Sequence, residues 1–356
     1  MSTIKVRTAA LARLVAEIFE LRGLPALEAA EVADALVDAD RRGISSHGVM
    51  LAPMYVERLQ LGSVTLATEP EIVSDSGACV VLDARHMLGQ LSSRRAVRIA
   101  GERSGIFGVS AVAVRNAFHF GAAGRYAETL ARAGKVGIVM SNTRPLMPAP
   151  GGAEAVVGNN PMAIAVPTAN GEPLLLDMAM SATAMGKIRL AATAGQAIPP
   201  GWAVDSDGNP TTDAAAAIAG MLLPAAGPKG FGLALMVDLL CGALSGGGTG
   251  RAVQPLYGMP DRAYNCAHFF LAIDVAAFGE ASRFAQAASE AAETVRGSKP
   301  APGVSRVSCP GDFENERFHA SAEEVALADE TRNSILSLAV AIGATVPHDF
   351  HMRTPA

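Results

Sequence analysis

Four short segments hold the residues best suited to chemistry. In Asp40-Arg41-Arg42-Gly43-Ile44-Ser45-Ser46-His47-Gly48, a histidine stands between a serine and a glycine just past a helical pattern. An imidazole presented there to a cleft titrates near neutrality and can give or take a proton, although a surface or capping histidine would look the same. In Asn116-Ala117-Phe118-His119-Phe120-Gly121-Ala122-Ala123-Gly124, small residues follow an apolar run that ends near Val114. They would let a ligand approach the backbone, with open amides at the next helix start attracting phosphate; a tight connection around a packed His119 is the plain alternative. Asn142-Thr143-Arg144-Pro145, Pro148-Ala149-Pro150-Gly151-Gly152 and Gly158-Asn159-Asn160-Pro161 form rigid turns whose amides and single arginine could position a carboxylate. Lys229, in Gly227-Pro228-Lys229-Gly230-Phe231-Gly232, could meet a phosphate or simply be solvated.

Several chemistries are excluded by what the chain lacks. There is no G-x-x-x-x-G-K-[ST], no third glycine after Gly230-Phe231-Gly232 and no G-x-S-x-G, so a P-loop enzyme and an ordinary α/β hydrolase are disfavoured. His348 and His351 lie near the chain end without the partners of a metal site, and no metal is expected. The four cysteines are far apart, with no C-x-x-C pair, and read as reduced thiols of a cytoplasmic protein. A net charge of −5 with no Lys/Arg cluster disfavours nucleic acid and anionic membranes as partners. No apolar stretch reaches membrane-spanning length, and the first residues lack the apolar core of an export signal.

The elements that must position these segments follow from periodicity. Leu11, Leu14, Val15, Ile18 and Phe19 form one helical face, and Ala29, Val32, Ala33, Leu36 and Val37 a second. A third helix follows Pro53 and stops at Gly62, so roughly the first 65 residues read as a helical unit. Strands are expected at 78–82, 107–114, 136–140, 162–166 and 174–177, and helices at 92–104 and 122–133, an alternation that argues for an α/β domain. Residues 191–228 form a long Gly/Pro/Ala-rich stretch of the kind that is usually functional. Thereafter we expect a buried helix over 231–244, a strand over 267–275, a helix over 276–295 and an irregular crossing over 297–310. A last helix should begin at a Ser321/Glu324 capping box and return Ile335, Leu336 and Leu338 to the core.

Taken in order, these segments resemble the second type of malate/L-lactate dehydrogenase, a family that also holds sulfolactate, ureidoglycolate and diketogulonate oxidoreductases and cyclic-imine carboxylate reductases. The resemblance covers nearly the whole chain. It rests on Arg42-Gly43 with Ser46-His47-Gly48, Tyr55, Gly62, Asn116 with His119-Phe120-Gly121, and Asn142 with Pro150-Gly151-Gly152. It continues through Gly158 with Asn160-Pro161, Asp177-Met178-Ala179 with Ser181, Gly186-Lys187, Pro199-Pro200-Gly201-Trp202, Thr211-Thr212-Asp213, Lys229-Gly230 with Gly232-Leu233, and Pro310-Gly311.

The resemblance implies an α/β fold with a non-Rossmann nicotinamide-binding domain on a mixed sheet. Residues 69–296 would form that cofactor domain, and 1–68 with 297–356 a helical substrate and dimerisation domain of a homodimer. The cofactor would be NAD or NADP and the substrate a small acid. His47 would be the proton donor or acceptor, Ser46 its hydrogen-bonding neighbour, and His119 a residue of the cleft. Phe120, Gly121, Asp177, Met178, Ala179, Lys229, Gly311 and Asp312 would contact the cofactor. The chemistry is coherent, since hydride delivery to a carbonyl builds an oxyanion that a neighbouring imidazolium can protonate.

Three positions depart from the family pattern. Many members carry an arginine four residues after the histidine to hold the substrate carboxylate, where this chain has Leu51. The frequent Gly-Thr-Asn-Pro turn has Asn159 in place of the threonine, and Lys187 stands where the imine reductases have an aspartate. An unpaired carboxylate in a closed cleft is costly, so another cation must serve, and Arg144 is the candidate. Lys187 favours a 2-oxo acid/2-hydroxy acid enzyme over the alternatives, a cyclic-imine carboxylate reductase or a binding protein without turnover.

Overall fold

The computed structural model describes residues 3–350. The chain opens with a short strand, β1 (Thr3–Arg7), where the periodicity suggested only helices. α1 (Thr8–Glu20) and α2 (Ala26–Arg41) then pack face to face through the two apolar stripes read from the sequence. Two consecutive 3₁₀ turns, Ser45–His47 and Val49–Leu51, lead into α3 (Ala52–Leu61), which ends at Gly62 in the left-handed region, a conformation glycine adopts without penalty.

Next come β2 (Glu71–Asp75), β3 (Cys79–Asp83), α4 (Gly89–Phe107), β4 (Val109–Ala117), α5 (Ala123–Arg132) and β5 (Lys135–Ser141). A small hairpin, β6 (Met147–Pro148) with β7 (Ala155–Val157), precedes β8 (Met162–Val166) and β9 (Leu174–Met178). A single seven-stranded mixed sheet results, in the order β2-β3-β4-β13-β5-β8-β9, where β13 is Cys266–Asp274. β3 and β4, joined through α4, are its one parallel pair. A parallel pair needs such a crossover, whereas antiparallel neighbours do not. α4 and α5 cover one face. α5 crosses so closely that a Cβ on Gly137 of β5 would stand 2.5 Å from the Ala127 carbonyl oxygen, which explains a glycine in mid-strand.

The stretch 191–228 is largely ordered rather than an open loop. It begins in the last turn of α6 (Met185–Thr193) and contains a three-stranded sheet of β10 (Ala203–Val204), β11 (Pro210–Thr211) and β12 (Met221–Leu222), with α7 (Ala214–Ala219) capped by Asp213. Ile188, Ile198, Ala203, Ala217 and Leu222 give it a core of its own. α8 (Pro228–Asp238) continues through a π-helical turn, Leu239–Ala243. Its Val237 and Cys241 pack on the second face of the large sheet, against Ala113, Met140, Ala267 and Phe269. The expectation of a fully buried helix fails here, because Leu233, Met236, Leu240 and Leu244 are exposed. Apolar on all sides, the helix buries one side and leaves the other bare.

The expected helix over 276–295 is a 3₁₀ turn, Val275–Ala277, followed by α9 (Ala281–Arg296). After α10 (Asp312–Ala320), the capping-box expectation also fails. Glu324–Ala328 is a strand, β14, paired antiparallel with β1, and the last helix, α11 (Asp329–Ile342), starts five residues later than Glu324. Alternating burial of Val325 and Leu327 decides the matter, and the Ser321 hydroxyl instead donates to the carbonyls of Arg317 and Arg41. Ile335 of α11 is buried, as expected. No helix among the described residues is long and apolar enough to cross a membrane, and His351 lies outside the described residues.

Candidate active site

His47 and His119, read from separate segments, come together as a stacked pair with ring centroids 5.4 Å apart. His47 is carried by the 3₁₀ turn just beyond α2, and His119 by the loop from β4 to α5. A buried ionic cluster sets their separation. Arg42, at the end of α2, bonds Asp38 at 3.0 Å and Glu128 of α5 at 2.7 Å, all three nearly solvent-free. Arg125 of α5 reaches back to Asp34 of α2 at 2.6 Å. The sequence marked Arg42 but not Glu128, which also pairs with Arg132 one turn along α5 at 2.6 Å.

Hydrogen bonds fix the state of each ring. Tyr55 Oη lies 2.6 Å from His119 Nδ1, while its distance to the His119 carbonyl is 3.5 Å. Gln90 Nε2 donates to the same phenol oxygen at 3.3 Å. Burial holds the Tyr55 phenol well above its ordinary pKa, so it stays protonated and donates to Nδ1. His119 therefore carries its proton on Nε2. Burial, reinforced by His47 and His268, keeps it neutral far below the usual imidazole range.

His268, fully buried on β13, lies beneath this pair. Its Nε2 is 3.1 Å from the Phe118 carbonyl, which can only accept, so Nδ1 accepts from the Ser141 hydroxyl at 3.0 Å. Burial lowers its pKa to about 4. The Phe120 ring stacks flat on it at 4.2 Å and is nearly solvent-free, so Phe120 can offer a ligand its backbone alone.

Ser46 Oγ sits 2.9 Å from His47 Nδ1. A hydroxyl both donates and accepts, so Ser46 can satisfy His47 in either tautomer. Crowding by surrounding protein lowers the pKa of the half-buried His47 to about 4, leaving it a neutral base in the free protein near pH 7.

Apart from Lys229, the other expected residues are joined by a run of contacts, a strip leading away from the histidines. Gly121 has a positive φ, and a Cβ there would meet nothing within 4 Å, so the loop after His119 borders open space. The Gly124 N–H donates to Asp177 Oδ2 at 2.8 Å, joining this loop to the end of β9, with Met178 and Ala179 following. Gly311 lies against the backbone of Leu175 on that strand. Asp312 beside it already holds Arg296 at 2.6 Å and the Cys309 N–H at 2.7 Å. Past Ala179, the Met180 N–H donates to the Asn159 carbonyl, and Asn159 Oδ1 accepts from the Thr143 hydroxyl at 2.9 Å, which brings in Arg144. Asn160 fastens the same turn to α8, accepting from the Thr143 N–H and donating to the Ala234 carbonyl. Arg144 and Lys229 are both exposed. Leu51 is buried in the helical core and cannot meet a substrate.

Comparison with known proteins matches the sequence profile of the malate/L-lactate dehydrogenase family over residues 6–336. L-sulfolactate dehydrogenase of Methanocaldococcus jannaschii is 37% identical over 302 residues, covering 85% of this chain and 87% of that protein. A sulfolactate dehydrogenase structure from the same organism superposes with a TM-score of 0.91 at 34% identity, covering 96% of this chain and 98% of that one. (2R)-3-sulfolactate dehydrogenase (NADP(+)) of Chromohalobacter salexigens is 39% identical, covering 75% of this chain and 80% of that protein. Ureidoglycolate dehydrogenase (NAD(+)) of Escherichia coli O157:H7 is 36% identical, covering 88% and 90%.

The phenol of Tyr55 is the element of this site most open to test. Tyr55→Phe leaves the Gln90 amide and His119 Nδ1 without their shared partner, a loss of about 1–3 kcal/mol in stability. It should lower kcat about tenfold as His119 loses its fixed tautomer, with cofactor affinity within twofold. Thermal denaturation and steady-state kinetics check both, and an unchanged kcat would remove the phenol from the site's working parts.

Proposed function

Since the chain belongs to the malate/L-lactate dehydrogenase family and is an NAD(P)-dependent enzyme, we propose that it interconverts a 2-oxo acid and a 2-hydroxy acid, with His47 carrying the proton. The observation behind this reading is the stacked His47/His119 pair at one end of the open strip. That strip suits an extended dinucleotide outside the Rossmann pattern. Gly121 leaves room for close approach, Met178 and Ala179 lie at the end of β9, and Lys229 can meet a phosphate. Phe120 would contribute backbone, and Gly311 and Asp312 would border the strip through their turn. Residues 69–296 would carry the cofactor, and 1–68 with 297–356 would complete the substrate side.

Bound there, the nicotinamide would accept or deliver the hydride. In the oxidising direction His47, with Nδ1–H donated to Ser46, takes the substrate hydroxyl proton on its other nitrogen. His119, neutral and protonated on Nε2, is suited to hydrogen-bond the same oxygen as charge develops. In the reducing direction His47 must first gain a proton. An incoming carboxylate favours that, because a nearby negative charge raises the imidazole pKa. Substrate binding and proton uptake are thereby linked.

Arg144 is the proposed carboxylate anchor, with Asn159 beside it. The Thr143–Asn159 bond holds its turn, and Arg144 lies within electrostatic reach of Tyr264, whose ring packs on Phe118 next to His119. The exposed row Leu233, Met236, Leu240 and Leu244 on α8 supports a homodimer. Four free cysteines, three of them buried, suit a reducing cytoplasm.

Absorbance at the nicotinamide band, with NADH and NADPH against oxaloacetate, 3-sulfopyruvate, oxalurate and a cyclic imine carboxylate, tests the reaction class. Turnover of the imine alone would overturn it. His47→Ala should cut kcat by about 10²- to 10⁴-fold while cofactor affinity holds; a kcat within tenfold of the parent would take the proton away from His47.

Arg144→Met should raise KM for acid substrates at least tenfold, equivalent to about 1.4 kcal/mol. A KM within twofold of the parent would place the anchor elsewhere.

Sedimentation velocity should give the mass of two chains, and Leu240→Glu should shift it toward one. A wild-type chain that sediments as a monomer would dispose of the dimer.

A further inference from the structure

Asp40 lies in the last turn of α2, directly beneath the segment carrying Ser46 and His47, and is 7% exposed. Its Oδ2 accepts the Val49 N–H at 2.7 Å. One carboxylate thus spans from the end of α2 to the far side of His47. The fit is close, since a Cβ on Gly48 would stand 2.1 Å from Asp40 Oδ1, so position 48 must be glycine while the carboxylate is there. Backbone bonds from the His47 N–H to Ile44 and from the Gly48 N–H to Ser45 curl the segment locally. It is the Asp40 bond that ties its far end to the helix.

Behind the turn, Asp40 borders a cavity of about 670 Å³ shared with Lys5 of β1, Arg41, Arg317 and His319 of α10, Glu323, and Glu324 of β14. Of the cations lining this cavity, Lys5 and Arg41 have other partners. Lys5 pairs with Glu324 at 3.5 Å, and Arg41 donates to the Phe318 carbonyl at 2.9 Å and lies over its ring. Burial is therefore weakly opposed, and it raises the Asp40 pKa to about 7, with the Val49 N–H pulling the other way.

We propose that Asp40 is the positioning residue for His47, gripping Gly48 and Val49 so that the Ser46-His47 turn holds its ring beside His119. The inference rests on the reading of His47 as proton carrier.

The sign of the pH effect supports a working role. A carboxyl whose folded pKa exceeds its unfolded value of roughly 3.9 keeps a proton that the unfolded chain has lost. Stability is therefore full below about 4, falls as pH rises toward about 7, and is not regained above it. The ionised form is nevertheless the stronger acceptor for Val49. A group that lowers stability as it tightens the turn fits function better than structure. kcat should accordingly fall on the acid side of about 7.

The test compares Asp40→Asn, which keeps an acceptor for Val49, with Asp40→Leu, which keeps none. Readouts are hydrogen–deuterium exchange of the peptide spanning residues 44–51, cofactor affinity for NADH and NADPH, and the pH profile of kcat with whichever acid of the panel the wild type turns over. In Asp40→Leu, exchange in that peptide should rise at least tenfold and kcat fall about 10- to 100-fold, with cofactor affinity within twofold. Asp40→Asn should keep most of the protection, recover at least a third of kcat, and lose the acid limb near pH 7. Wild-type exchange in Asp40→Leu would overturn the proposal, as would exchange rising throughout the chain, which marks a general structural role. Exchange does not depend on turnover. If His47→Ala stays active while the peptide loosens in Asp40→Leu, the reading of His47 fails and the grip stands.

Discussion

The site depends on one buried ion pair, Arg42 with Glu128. It is the point where the helix leading to His47 meets the helix that follows His119. Removing either partner would leave the other buried with one counter-ion fewer, at a cost below the roughly 3–5 kcal/mol of a wholly unpaired buried charge. The pair is also well supplied, since Arg42 further holds Asp38, and Glu128 holds Arg132. A buried pair contributes little net stability over apolar packing; its value lies in admitting one alignment of two elements. Here that alignment is a histidine stack between loops more than 70 residues apart in sequence.

From this constraint follows the electrostatic character of the site. Burial lowers the pKa of all three imidazoles, and at His119 repulsion from His47 and His268 adds to it. Their partners then sort them by role. His268 is held by a carbonyl that can only accept, and His119 by a phenol that stays protonated. Neither can change its proton without losing a bond. His268 also meets a hydroxyl, that of Ser141, but its carbonyl partner sets the tautomer, whereas the Ser46 hydroxyl at His47 serves either tautomer. The ring free to exchange a proton is thus distinguished less by its pKa than by the indifference of its neighbour.

Much of this was legible in the sequence, and what was missed has a common cause. α1 and α2, the core of the sheet and the order of the motif segments could be read because each is written in local periodicity or in contiguous residues. β1 and β14 could not, because each is a five-residue strand stabilised by the other from the opposite end of the chain. Ser321 and Glu324 matched a local capping rule that the nonlocal pairing overrode. The exposed side of α8 was hidden for the opposite reason, since periodicity reports how apolar a face is and not whether anything covers it. Within the site, Tyr55 was marked only by resemblance, and Gln90 and Glu128 not at all. Their roles exist only once α3, α4 and α5 converge.

α8 also links the bare apolar face to the turn that bears Arg144. Asp238, at its C-terminal end, accepts from Asn142 Nδ2 at 2.8 Å and from the Gly250 N–H at 2.9 Å, while Asn142 Oδ1 accepts from Ala267 of β13 at 2.7 Å. One turn earlier, the Ala234 carbonyl receives Asn160, whose oxygen holds the Thr143 N–H. The turn bearing Arg144 is therefore suspended from α8 by two side-chain amides rather than by the sheet alone. Each amide is buried with donor and acceptor engaged, an arrangement that resists sliding because any shift would strand a polar group. Burial of Leu233, Met236, Leu240 and Leu244 against a second chain would stiffen the helix from which Arg144 hangs. The position of Arg144, the proposed carboxylate anchor, would then depend on assembly as well as on the fold.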